Sequence, residues 1–214
     1  MSQSFLKLIV IRLYKNKDIQ AKTQDMKLII FEGTDRVGKN TQIYKCAENF
    51  NNVSIKHWIG PPKTMSSLYD MIHHQKLIFT EEFMYWQGEV NNKRSRLESI
   101  VWNRSHIGEW VYGSLYRNYE PHWIYDLEDT FGFGNHNDIY LINFWGDPEF
   151  IIQWEDGLSS AQTVEQKRVE IGLFKEAVEI SRIKNKLNIK VNDGNKWRAR
   201  EEISSEINNF IFNK

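Results

Sequence analysis

The sequence predicts an α/β domain built on a largely parallel sheet, and three observations carry that prediction. Apolar runs of strand length alternate along the chain with longer segments in which apolar residues recur every three or four positions. The first clear run, Leu28-Ile29-Ile30-Phe31, is apolar without alternation, as expected of a strand buried on both faces. It leads straight into a loop carrying Gly33 and Gly38 and then into a helical pattern, and strands joined through helices give parallel pairing. A length of 214 residues suits one such domain with insertions.

Each element follows in order. Residues 1–25 hold five basic side chains (Lys7, Arg12, Lys15, Lys17, Lys22) against two acidic ones, Asp18 and Asp25. Their apolar stretch is short, broken by Lys7 and without a small-residue cleavage site, so a secretory signal is not expected. An N-terminal extension added to a domain of residues 26–214 is the simplest reading, with a transit peptide as the alternative. After the strand at 28–31, a helix is expected over 39–50 and a second strand over 53–58, stopped by Gly60-Pro61-Pro62. Residues 64–93 read as mainly helical, with Leu68, Met71, Ile72, Ile78, Phe79, Phe83 and Trp86 at helical spacing. A third strand fits 97–102, and a helix fits 105–116 with Ser105 as its cap. The stretch 120–137 fits neither pattern. A fourth strand is expected over 138–144, a helix from 150, a long charged helix over 164–186, a short strand at 189–191 and a terminal helix to about 212.

Composition narrows the function. Lys plus Arg and Asp plus Glu are 28 each, which argues against a broad nucleic-acid-binding face but leaves room for a local basic site. The eight Trp residues are dispersed, as for core and pocket lining more than a nucleic-acid stacking platform. One cysteine, Cys46, can form no internal disulfide and has no Cys/His cluster around it, so a reducing, cytoplasmic setting is expected. No apolar run approaches the roughly 18 residues of a membrane helix. His73-His74 lacks acidic or Cys partners at metal spacing and is assigned no metal.

The strongest chemical signal is Glu32-Gly33-Thr34-Asp35-Arg36-Val37-Gly38-Lys39-Asn40-Thr41, which matches the GxxxxGK of a P-loop between a strand and a helix. The spacing has a mechanical cause. Gly33 and Gly38 let the backbone curl so that successive N–H groups point inward, and the helix N-terminus adds partial positive charge. Gly33, Thr34, Val37, Gly38, Lys39, Asn40 and Thr41 are therefore candidate ATP-binding positions, with Lys39 reaching the β- and γ-phosphates. Asn40 stands where a Ser or Thr hydroxyl usually holds Mg²⁺. An amide oxygen can ligate a hard cation, whereas Thr41 points about 100° away around the helix.

FEGTDRVGKNTQ resembles the P-loop of the thymidylate kinases, which pass the ATP γ-phosphate to dTMP. The resemblance implies a P-loop NTPase fold, three-layer α/β/α with a central parallel sheet and a helical lid. It further implies ATP as phosphate donor, Mg²⁺ as cofactor, small-molecule nucleotides as partners and a homodimer. Asp35 then contacts the sugar side of the acceptor, and Arg36 clamps the transferring phosphoryl group. Lys63, after Pro62, falls where the family places a basic residue for the monophosphate, although an exposed loop lysine fits equally. Asn103-Arg104-Ser105 is similar to the family's Asp-Arg-Tyr, with Arg104 gripping the acceptor phosphate and Asn103 in the acidic, magnesium-organising position. Tyr112 falls beside the sugar. Phe79 aligns with the base-stacking phenylalanine, a position that a core residue of a helical stripe would also fill. Phe83 replaces the family's thymine-reading Arg. Arg168, in Arg168-Val169-Glu170, resembles the arginine lying against adenine; Asp147-Pro148-Glu149 resembles a structural turn, and Asp193-Gly194-Asn195 could shape the adenine pocket. No Lys or Arg lies between Pro148 and Gln166, so Arg36 is the expected cis cation, and Arg36, Lys39, Asp35 and Arg104 are the candidate catalytic residues. Glu109 is a candidate substrate-hydroxyl contact, a position that a solvated helix residue fills equally; Arg117 fits a phosphate contact or a plain helix-end cation, and His106 reads as a capping or half-buried residue more than a substrate contact.

The sequence thus points to ATP-dependent phosphorylation of a deoxynucleoside monophosphate, dTMP or a related pyrimidine dNMP. The alternatives are a nucleotide-binding module that has lost transfer through Asn40 and Asn103, and a kinase acting on a nucleoside or modified nucleotide.

Overall fold

The computed structural model describes residues 10–14, 26–157 and 159–213. Five strands form a parallel sheet: β2 (Lys27–Gly33), β3 (Asn52–His57), β4 (Ser99–Asn103), β5 (Ile139–Trp145) and β6 (Asn185–Lys190), in the spatial order β3-β4-β2-β5-β6. A sixth strand, β1 (Val10–Tyr14), pairs antiparallel with the outer edge of β3, Val10 opposite Lys56 and Tyr14 opposite Asn52. Part of the segment read as an extension therefore joins the sheet, and the rest of it lies outside the described residues.

The apolar run at 28–31 predicted a doubly buried strand, and its side chains divide between two cores. Leu28 and Ile30 face one cluster with Ile100, Trp102, Ile139 and Leu141, covered by α2 (Leu68–Asn91), α3 (His106–Tyr116), α4 (Trp123–Thr130) and α6 (Val164–Ile180). Ile29 and Phe31 face the other with Ile55, Val101, Ile142 and Phe144, covered by α1 (Lys39–Ala47), the short α5 (Pro148–Ile151) and α7 (Arg200–Phe212). Alternate residues of one strand serve opposite layers, and the result is the three-layer α/β/α arrangement expected.

Two differences from the sequence reading have physical causes. The stretch 120–137, ambiguous by pattern, contains α4 and a 3₁₀ turn at Phe133–Asn135; α4 buries Ile124, Tyr125 and Glu128 on one face. Glu128 also explains why the long helix stops at Ile180 rather than running to 186. Its buried carboxylate accepts from the Ser181 hydroxyl at 2.7 Å, the Arg182 backbone N–H at 2.6 Å and His106 Nε2 at 2.8 Å. The chain is pulled out of helix there and returns as β6, with Asn185 Nδ2 donating to the Asn137 and Ile139 carbonyls. After β6 a small hairpin, β7 (Asn192–Asp193) with β8 (Lys196–Trp197), precedes α7.

Candidate nucleotide and acceptor site

The strand order places β2 at the centre, between β4 and β5, so the loops leaving these strands meet over the C-terminal edge of the sheet, where open α/β sheets bind ligands. Gly33 ends β2 at φ +122°, and an added Cβ there would sit 2.0 Å from the Phe144 carbonyl oxygen. Only glycine permits that approach. Gly38, at φ +78°, is the N-cap of α1. The loop between them borders a cavity of about 410 Å³ lined by Asp35 to Thr41 together with Asn103, Arg104 and Ser159.

Within this loop Lys39 is folded inward, donating to the carbonyls of Gly33 at 2.8 Å and Thr34 at 2.5 Å. Burial, reinforced by the nearby Arg104 guanidinium, pushes its pKa down to about 7. Arg36, at φ +68°, pairs with Asp156 from the segment preceding α6. Thr34 donates at 2.6 Å to the buried Glu170 of α6. Glu32, wholly buried, accepts from Ser105 Oγ at 2.6 Å and from the Gly108 N–H at 3.1 Å, tying the end of β2 to the start of α3. Burial raises its carboxyl pKa.

A second cavity, about 370 Å³, adjoins the first and has more apolar walls: Trp58, Gln75, Phe79 and Tyr116, with Tyr112 and Glu109 toward α3. Asp35 and Arg104 line both cavities. Arg104 leaves β4 in the left-handed region, φ +67°, its N–H bonded to the Phe31 carbonyl at 2.8 Å. Its guanidinium pairs with Asp35 and donates to the Tyr112 hydroxyl at 2.6 Å. Tyr112 in turn donates to Glu170 Oε1 at 3.0 Å. The chain Asp35–Arg104–Tyr112–Glu170–Thr34 thus links the P-loop, β4, α3 and α6, and Lys167 closes it at 3.6 Å from Glu170 and 3.3 Å from Glu155. Such a linked polar set is rigid because every member is held by at least one other.

No family model and no curated protein sequence matches this chain. Solved structures do. Thymidylate kinase from Candida albicans, described as having broad substrate specificity, matches at TM-score 0.54 and 12% identity over 86% of this chain and 89% of its own. Thymidylate kinase from Ehrlichia chaffeensis matches at 0.55 and 14%, over 85% and 96%. The YorR protein of Bacillus subtilis, in complex with phosphorylated GDP, matches at 0.53 and 16%, over 85% and 93%. The fold is that of the thymidylate kinases.

On this thymidylate kinase fold most of the residues singled out from the sequence converge. Asp35, Arg36, Val37, Gly38, Lys39, Asn40, Thr41, Asn103 and Arg104 border the first cavity; Asp35, Phe79, Arg104 and Tyr112 border the second. Gly33 and Thr34 lie behind the lining at the base of the loop, Thr34 without exposure, and three others lie away from both cavities. Phe83 is completely buried, its ring stacked 4.5 Å from Phe133 and 5.6 Å from Trp102, so it is a core residue and lines neither cavity. One turn of helix separates it from Phe79, and that turn carries it behind the cavity. Lys63 is exposed in the loop after β3 and lines neither cavity. Arg168 stands on the outer face of α6, paired with Glu165 and, at 2.5 Å, with Glu149. His106 lies in the core against Glu128, and Glu109 pairs with Arg117 at 2.5 Å and accepts from Tyr119. Sequence reasoning missed Gln75, Trp58, His57 and Asp156. The available signal for Gln75 was its place four residues before Phe79, on the same face of α2.

The positions at which the resemblance implies magnesium carry amides, Asn40 and Asn103. Asn103 Nδ2 donates to Asn40 Oδ1 at 2.7 Å and lies 2.7 Å from His57 Nδ1, while Asn103 Oδ1 is buried without a partner. An orphaned buried oxygen next to a second amide oxygen fits a hard cation that arrives with its phosphates, since magnesium keeps much of its shell from water and substrate. Neither amide contributes charge.

Proposed function

We propose that this protein is an ATP-dependent deoxynucleoside monophosphate kinase acting on dTMP or a related pyrimidine dNMP. One observation carries the reading: a P-loop cavity and an aromatic-walled cavity meet at a shared Asp35–Arg104 pair. A donor nucleotide lies over the loop in this reading, with its phosphates on the inward N–H groups of residues 33–39. Lys39 leaves the carbonyls of Gly33 and Thr34 for the more favourable phosphate charge. Arg104 holds the acceptor phosphate at the junction, Asp35 orients the acceptor's sugar, and Tyr112, anchored by Glu170, closes the space beside it. Phe79 and Trp58 provide the base wall. Arg36 exchanges Asp156 for the transferring phosphoryl group. An acceptor that is already an anion needs little base catalysis, so positioning and charge neutralisation by Lys39, Arg36 and Arg104 supply the rate. Magnesium, held by the phosphates with Asn40 and Asn103 as its protein-side oxygens, would neutralise phosphate charge.

The reading also takes in a homodimer through the outer face of α2, where Tyr69, Leu77 and Met84 are exposed within one sector of the helix. It places the protein in a reducing cytoplasm, consistent with a buried Cys46 thiol whose pKa burial raises to about 12. Among the described residues no helix is long and apolar enough to cross a membrane.

The test is purified protein with Mg-ATP and each dNMP in turn, following ADP release and the diphosphate product. Formation of a dNDP supports the reading, and its absence across the panel overturns it. The Asn40–Asn103 amide pair favours one rival, a nucleotide-binding module without transfer. That rival predicts ATP binding indifferent to Mg²⁺ and no turnover, and turnover by the unaltered chain sinks it.

A further inference from the structure

The acceptor-side cavity holds hydrogen-bond donors that the mechanism above leaves unused. Gln75 is 2% exposed, lies one turn before Phe79 on α2 and lines the cavity, and its side-chain Nε2 has no hydrogen-bond partner. Trp58, in the same wall and 4.7 Å from the Phe79 ring, is 7% exposed with its indole N–H likewise unpartnered. Buried donors are almost always satisfied, and leaving one unmade is costly. Two unpartnered donors beside an aromatic surface make a wall complementary to a planar ligand that brings acceptors. Phe83, the position aligned with base reading, is sealed in the core and offers neither donor nor access.

We propose that Gln75 is the base-reading residue of the acceptor site and that, with the Trp58 indole N–H, it selects bases whose facing edge carries a carbonyl oxygen, as in thymine and uracil, over bases that present an amino group, as in cytosine and adenine. The assignment rests on the kinase reading for the identity of the cavity. A glutamine amide can turn over to present its oxygen instead, but an indole N–H cannot change sign, so the wall keeps a fixed preference for acceptors. A site built to hydrogen-bond one edge rejects the edge that cannot reciprocate, because its own buried groups are then left unpaired. Phe79 contributes stacking that every base satisfies, and so adds affinity without choice.

The experiment is a calorimetric titration of the full chain with dTMP, dUMP, dCMP, dAMP and dGMP, alongside turnover with the same panel, for the unaltered protein and for Gln75→Leu and Gln75→Glu. The oxo-bearing nucleotides are expected to bind ahead of dCMP and dAMP. Gln75→Leu should weaken the preferred acceptor by about tenfold to a hundredfold and compress the ranking, with the KM for ATP unchanged. Gln75→Glu, which can only accept when ionised, should move the ranking toward the amino-bearing bases. Preference of the unaltered protein for dCMP or dAMP, or an unchanged ranking in Gln75→Leu, overturns the assignment; the first outcome needs no variant to fold. Binding with the expected ranking but no diphosphate would overturn the kinase reading and leave Gln75 as the base reader. Turnover without that ranking does the reverse, and no binding of any nucleoside monophosphate overturns both.

Discussion

At the scale of single residues, Lys39 carries the most direct consequence. Its pKa of about 7 in the nucleotide-free protein arises from burial first and from Arg104 second. Phosphate oxygens beside the ammonium favour its charged form, so the pKa must rise on binding, and above pH 7 nucleotide binding takes up a proton. ATP affinity should therefore fall as pH increases from 7 toward the pKa of the complex. Calorimetry at pH 8 in buffers of different ionisation enthalpy should report the uptake, and Lys39→Met should abolish it. Arg36 offers a second test. Its partner Asp156 competes with phosphate for the guanidinium, and both side chains are more than a third exposed. Solvent-screened pairs of this kind contribute about 0–1 kcal/mol, so Asp156→Ala should tighten ATP binding by no more than about fivefold, with the gain shrinking as salt increases. At the positions proposed to hold magnesium, Asn103→Asp adds a carboxylate where an unpartnered amide oxygen now stands. The Mg²⁺ concentration for half-maximal activity should drop in that variant, and an unchanged value would remove Asn103 from the metal's surroundings.

At the scale of elements, α6 braces both cavities. Its N-terminus is set by a capping box, in which the Thr163 side chain accepts from the Gln166 N–H and the Gln166 side chain accepts from the Thr163 N–H. That register turns Lys167 and Glu170 inward, both essentially without exposure. Glu170 then receives Thr34 from the P-loop and Tyr112 from α3. Removing one member of a buried charged set leaves the others uncompensated, so Glu170→Ala should destabilise the protein by about 3 kcal/mol in denaturant titration. The same change releases Tyr112 from below Arg104, and it should lower kcat/KM for the acceptor more than for ATP. Equal losses for the two substrates would reduce Glu170 to a purely structural brace.

At the scale of the whole molecule, the edge of the sheet under the candidate site and its outer edge are separate concerns. The candidate site lies over the C-terminal ends of β2 and β4, while β1 covers the open side of β3 along Asn52–Lys56. An uncovered edge strand is a template for pairing with another chain. A chain beginning at Met26 should keep its nucleotide binding but self-associate more readily through β3, as light scattering would show. Retained monodispersity would mean that the β3 edge is protected by other means.

Much of this architecture was legible in the sequence because it depends on local pattern. The apolar run at 28–31 determined a strand buried on both faces, the glycines at 33 and 38 determined a loop able to wrap phosphate, and Ser105 marked the start of α3, where its hydroxyl accepts from the Ile107 N–H at 3.2 Å. Each of these is a statement about a few consecutive residues and their periodicity. What depended on distant partners was not legible. Glu128 ends α6 from 53 residues away, and Glu170 reaches Thr34 across 136. Phe79 and Phe83 share one apolar stripe in the sequence, yet only the packing of α2 against Trp102 and Phe133 leaves the first at a cavity and seals the second in the core. Gln75 has no signature of its own; its meaning comes from being buried, unpartnered and beside Phe79. The sequence by itself determined a phosphate-binding α/β domain, since that chemistry is written in a contiguous loop. Which side chains line the second cavity was decided by tertiary structure alone, because a helix face acquires its surroundings from whatever the rest of the chain packs against it.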